Sequence, residues 1–163
     1  MSKIGKRIKI GDIVEVPTSK GLAYAQVTHI HSEEHSSYGP LVRIFPGFFT
    51  KRPERFDELV RQEPVAIMFC ALRAAIKSGI CEIVANVSVP EEAKSFPLFR
   101  ASNDDPRAET PKNWGFWDGN RTWHVGKITA EQRRMPLREI VDGVLLHERI
   151  ESGWSPETDR HSQ

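Results

Sequence analysis

The segment Trp114-Gly115-Phe116-Trp117-Asp118-Gly119-Asn120-Arg121-Thr122-Trp123-His124-Val125 constrains this chain more than any other. Two aromatic, β-favouring runs flank a turn dipeptide, and that pattern specifies a β-hairpin. Either Asp118-Gly119 or Gly119-Asn120 fits the two-residue loop. Both registers place Trp114, Phe116, Trp123 and Val125 on one face, and Trp117 and His124 on the other. Four large apolar groups in register are expected to face a core. Trp117, beside Asp118 and Arg121, is then either a candidate interface anchor or an indole covered by the loop over 101–113.

The rest of the chain has a similar grain. Gly11-Asp12 is a turn signal before the β-branched run Ile13-Val14-Glu15-Val16. Pro17 to Gly21 reads as a turn, Leu22 to His31 as a longer strand, and Leu41 to Phe45 as a third. Phe56, Leu59 and Val60 are spaced for one face of a short helix that opens near Pro53. Residues 66–77 admit two readings. Val65 to Leu72 is a short apolar run typical of a buried strand, while Ala71, Leu72, Ala74 and Ala75 favour helix. Ile80 to Val89 is β-rich. Pro136 to Val141 has the form of a short helix that Gly143 ends, and 144–150 fits helix or strand.

These elements predict an α+β, mainly β fold: a small twisted antiparallel sheet or partial SH3-like barrel with one to three short helices. At 163 residues, 39% of them apolar, the chain can build one core. The expected organisation is a basic arm over 1–8, a single domain over 9–154 and a disordered tail over 155–163.

Charge is nearly balanced, 23 basic against 22 acidic residues. That gives no electrostatic footprint for nucleic acid, although Lys3, Lys6, Arg7 and Lys9 cluster at the start. The start has no apolar h-region, and no stretch reaches the length of a membrane span. A cytoplasmic location, with no nucleic-acid or membrane partner, is expected. Cys70 and Cys81 lie in apolar runs, as free buried thiols of a reducing compartment do.

Few residues carry candidate chemistry. His29 and His31 share one face of a strand, with His35 following, and form a weak zinc or nickel patch without a distant partner motif. The adjacent pairs Glu33-Glu34, Glu91-Glu92 and Asp104-Asp105 suit solvation or an electropositive partner better than acid–base catalysis. No phosphate loop, nucleophile elbow or dinucleotide fingerprint occurs, so neither a catalytic role nor a cofactor is expected.

The order of several short motifs resembles the immunity protein 26 family. They are Gly11-Asp12-Ile13-Val14-Glu15-Val16-Pro17, Gly21-Leu22-Ala23-Tyr24-Ala25-Gln26-Val27, Phe96-Pro97-Leu98-Phe99-Arg100, Trp117-Asp118-Gly119, and the closing run Leu146 to Trp154. The likeness spans residues 9 to 154. It implies a stoichiometric binder that protects a bacterium from a cognate polymorphic toxin, with no catalytic residues. On that reading the partner-binding candidates are Glu33, Glu34, His35, Asp104, Asp105 and Trp117. The alternatives are a nucleic-acid- or peptide-binding module with an SH3-like N-terminal half, and a metal-dependent hydrolase using His29 and His31.

Overall fold

The structure is a computed structural model that describes residues 7–30, 38–104 and 111–159. Its main sheet is built from β1 (Asp12–Thr18), β2 (Gly21–His29), β3 (Leu41–Ile44), β4 (Ala66–Cys70), β5 (Glu82–Asn86) and β9 (Ile140–Val141). The order is β5-β1-β2-β3-β4-β9. β1 to β4 form an antiparallel meander, β5 returns beside β1, and β9 joins β4 in parallel. Of the two forms read from sequence, the sheet is the open one, with β5 and β9 at its edges. A second antiparallel sheet holds β6 (Phe99–Ser102), β7 (Trp114–Trp117) and β8 (Thr122–Gly126), with β7 central.

Alternation along the strands divides the main sheet into two unlike faces. One carries Val14, Val16, Ala23, Ala25, Val27, Val42, Ile44, Ala66, Met68 and Cys70, all buried. Two helices cover it, α1 (Leu72–Lys77) and α2 (Gly143–Ser152), through Leu72, Ala75, Leu146 and Ile150. Their contact is close: a Cβ added to Gly143 would lie 2.7 Å from the Ala75 Cβ. The Asp142 carboxylate caps α2 by accepting the Leu145 amide at 2.8 Å, and Gly153 ends it at φ +71°.

The other face is apolar at its two ends. Ile13, Tyr24, Phe45, Phe56, Leu59 and Val60 form one cluster. Leu41 and Phe69 form the second with Phe99 and Trp117 of the small sheet. Buried polar groups, Gln26 and Arg43, pair across strands between them.

Two open readings are settled, at 66–77 and 144–150, and the helix read at 136–141 is revised. Residues 66–77 are a strand and then a helix, because the β-favouring apolar run gives way at Ala71 to an alanine-rich one. Residues 136–141 are extended rather than helical: Leu137 bridges to Arg100, and Ile140 and Val141 complete the β4 edge. Gly143 therefore opens a helix instead of ending one, and 144–150 lies inside it. Cys70 and Cys81 are free and buried, and burial pushes their thiols up to about 12 and about 11.

Candidate functional site

The hairpin tip follows the second of the two predicted registers. Trp117 pairs with Thr122 and Phe116 with Trp123, which leaves Gly119-Asn120 at the turn. The Asp118 carboxylate accepts the amides of Asn120 and Arg121 at 2.9 and 2.8 Å, which holds its pKa below the ordinary value. Gly119 takes φ +98°, and a Cβ there would meet the Phe96 ring at 3.0 Å.

Both faces of β7 are buried: Trp114 and Phe116 face a core as the sequence reading expects, Trp117 on the opposite face is buried as well, and Trp123 is not. Trp117 is only 4% exposed. It stacks on Tyr38 at 5.0 Å, touches Phe69, Phe96 and Phe99, and receives the Arg138 guanidinium 4.2 Å over its ring. It is a core residue joining the two sheets, not an exposed anchor. Trp123, predicted as core, is 38% exposed on the edge strand β8. Trp114 and Phe116, on its face, are buried, and Val125 is half-buried. The reason is the middle place of β7. One of its faces meets the main sheet. The other packs against Arg100, whose guanidinium lies 4.6 Å over the Trp114 ring. β8 is left at the rim.

The outer edge of β8 pairs with no strand among the described residues. Thr122, Trp123 and His124 are exposed along it. Behind it the strand is firmly held. Arg138 donates to Thr122 Oγ1 at 3.1 Å and to the Tyr38 hydroxyl at 2.8 Å. The result is a strand edge, braced at Thr122, that presents one large aromatic side chain.

The other predicted site residues fall out differently. Asp104 closes its own loop: its carboxylate accepts the backbone amides of Lys112 and Asn113 and the Asn113 side-chain amide, the last at 2.8 Å. The Asn113 amide, with these neighbours, lowers the Asp104 pKa. Glu33, Glu34, His35, His31 and Asp105 lie outside the described residues. His29 ends β2 with both ring nitrogens engaged, Nδ1 with Thr28 Oγ1 at 2.9 Å and Nε2 with the Lys94 carbonyl at 2.9 Å. Since that carbonyl only accepts, Nε2 carries the proton. His29 thus fastens the segment after β5 to the sheet, and as a metal ligand it would have to give up one of these bonds. Among the described residues, no group of three metal-ligating side chains occurs and no helix is long and apolar enough to cross a membrane.

Sequence reading missed one charged constellation. Glu15, 4% exposed, accepts the Tyr24 hydroxyl at 2.8 Å and Arg52 Nε at 2.7 Å. Arg52 also reaches Glu82 at 3.1 Å. The hydrogen bond from Arg52 holds the Glu15 carboxyl below its ordinary value. Burial, with the Glu15 charge, pushes the Tyr24 phenol up. Every member is satisfied, so the group straps the 52 loop to the sheet. A depressed carboxylate contributes stability above its ordinary pKa of 4.5 and loses it as pH falls through the folded value. The urea midpoint is therefore expected to drop on acidification from neutral pH, and to drop less steeply in Glu15→Gln. Equal slopes for the two proteins would dismiss the strap as a source of acid sensitivity.

No family model matches the chain, and no curated protein or solved structure is significantly similar to it.

Proposed function

We propose that this chain is a protein-binding module of the immunity type, which neutralises a bacterial toxin by stoichiometric association. The observation that carries the reading is the outer edge of β8, unpaired among the described residues, with Trp123 exposed on it and the strand braced from behind by Arg138. An unpaired strand edge offers backbone donors and acceptors in register, and a partner chain can add to it as a further strand. A half-exposed tryptophan on such an edge supplies the buried anchor that protein interfaces concentrate their energy in. The motif order that resembles the immunity protein 26 family supports a toxin as the partner. The charge balance supports a partner met through shape and strand pairing more than through a strong field.

The experiment is co-expression with the toxin encoded beside its gene, followed by co-purification and a host-survival assay. The parent protein is expected to protect and to form a one-to-one complex. Trp123→Ala is expected to weaken that complex by about 2 kcal/mol, and a proline at Thr122 or His124 to weaken it further by removing an edge donor. Neither protection nor co-purification by the parent would end the immunity reading. Protection that is equal in all variants would move the contact away from β8.

A further inference from the structure

Between the two apolar clusters of the second sheet face lies a cleft of about 420 Å³. Its floor is β3 and β4, and its walls are the 91–97 segment and the 134–136 turn. His29 secures one wall through the Lys94 carbonyl, and the His29 ring meets Phe96 edge-on at 5.6 Å. The cleft is therefore part of the packed structure rather than a gap between loose loops.

Arg43 lines this floor and is 8% exposed. Among the described residues its guanidinium has no hydrogen bond and no ion pair, and Nη1 is buried with no partner. Among the described residues its one aromatic contact is Phe45, 5.8 Å from the guanidinium carbon to the ring centroid. Burial pushes its pKa down, and the Glu92 charge opposes that only from beyond ion-pair distance. A buried cation without a counter-charge is costly, and proteins seldom keep one unless something else neutralises it. Arg100 in β6 of the small sheet, fully buried, by contrast donates to the carbonyls of Arg133 and Pro156 at 2.9 Å each and of Met135 at 3.3 Å.

We propose that this cleft binds a small monocarboxylate with an apolar body, its carboxylate neutralising Arg43. The lining decides the class. Val65, Ile67 and Phe96 offer an apolar wall. Glu63 and Glu92 also border the space, and would repel a doubly charged phosphate more than a single carboxylate. The second cation at the cleft, Arg134, already pairs with Glu157 at 3.4 Å. The site is separate from the β8 edge, and the proposal stands without the toxin-binding reading.

The test uses the full-length protein with hexanoate, inorganic phosphate and chloride at matched ionic strength. Hexanoate is expected to raise the melting temperature saturably and to shift the backbone amide resonances of residues 43, 65–67, 95 and 96. Arg43→Met is expected to fold with a melting temperature at or above that of the parent, and to lose hexanoate affinity by at least about tenfold. A saturable response to phosphate rather than hexanoate would overturn the ligand class. No saturable response to hexanoate, or one that Arg43→Met retains, would overturn the site. Gln26, the cross-strand neighbour of Arg43, has its Oε1 buried without a partner and supplies the competing explanation. If Arg43→Met and Gln26→Leu each destabilise the protein and the double variant is no worse than either, the two side chains serve each other and no ligand is required.

Discussion

Trp117→Ala is expected to destabilise the protein by about 3–5 kcal/mol, whereas Trp123→Ala should change stability by less than about 1 kcal/mol. The difference follows from what each ring touches. Trp117 joins Tyr38, Phe69, Phe96 and Phe99, and its neighbour Phe69 stacks on Phe99 at 4.9 Å between the two sheets. Removing the indole opens a cavity among rigid rings that collapse poorly, and takes the platform from under Arg138. Trp123 has one ring neighbour among the described residues, Phe116 at 6.2 Å, and water on its far side. Urea denaturation of both variants, with near-ultraviolet circular dichroism as a second probe, checks this. Equal costs would mean that the small sheet does not pack on the main sheet through Trp117.

The second large effect is expected at Arg100. Its side chain is fully buried, burial pushes its pKa down to about 10, and its donors tie residues 133, 135 and 156 to β6. Arg100→Met keeps most of the volume but takes the guanidinium's donors from three carbonyls, that of Pro156 keeping the Asp159 amide at 3.4 Å. Each buried acceptor left without a donor costs about 1–3 kcal/mol, so a total of about 3–5 kcal/mol is expected after partial relaxation. Arg100→Lys should recover little, because one ammonium cannot span three divergent carbonyls. The same change at Arg43 is expected to cost nothing, which makes the pair an internal control: arginine to methionine, both buried, with opposite outcomes. Thermal and urea midpoints of the two variants decide it, and a stable Arg100→Met protein would refute the clasp.

The strands were legible where β-branched runs stand between glycine and proline signals, as at Ile13 to Val16 and Leu41 to Phe45. The hairpin was legible from its turn chemistry. The faces of that hairpin were not, because alternation says which side chains share a face but not which face is covered. One clue was present: Trp114-Gly115-Phe116-Trp117 has no polar residue, the mark of a strand buried on both sides. Residues 136–141 misled because a proline followed by helix-tolerant residues cannot announce a parallel partner 71 positions away. Arg43 and Arg100 gave no local signal at all. An arginine within a strand is ordinarily read as solvent-facing, and only the packing of remote segments buries these two. The Glu15–Tyr24–Arg52 strap was hidden for the same reason: its parts approach only when the 52 loop folds back across β1.

The strand order has a consequence for how the protein is made. β1 to β4 can pair with their sequence neighbours as soon as they emerge, but both edges of that meander are finished late. β5 reaches β1 only after α1 carries the chain back across the sheet, and β9 reaches β4 from the other end of the sequence. Until α2 arrives, the apolar face holding Val16, Val42 and Met68 stays partly open to water. Distant pairings close large loops before they gain contact energy, which places such chains among those that fold in milliseconds to seconds, roughly, rather than microseconds. During translation the nascent meander therefore has two bare edges and an uncovered face, and that interval is when a chaperone has most to hold.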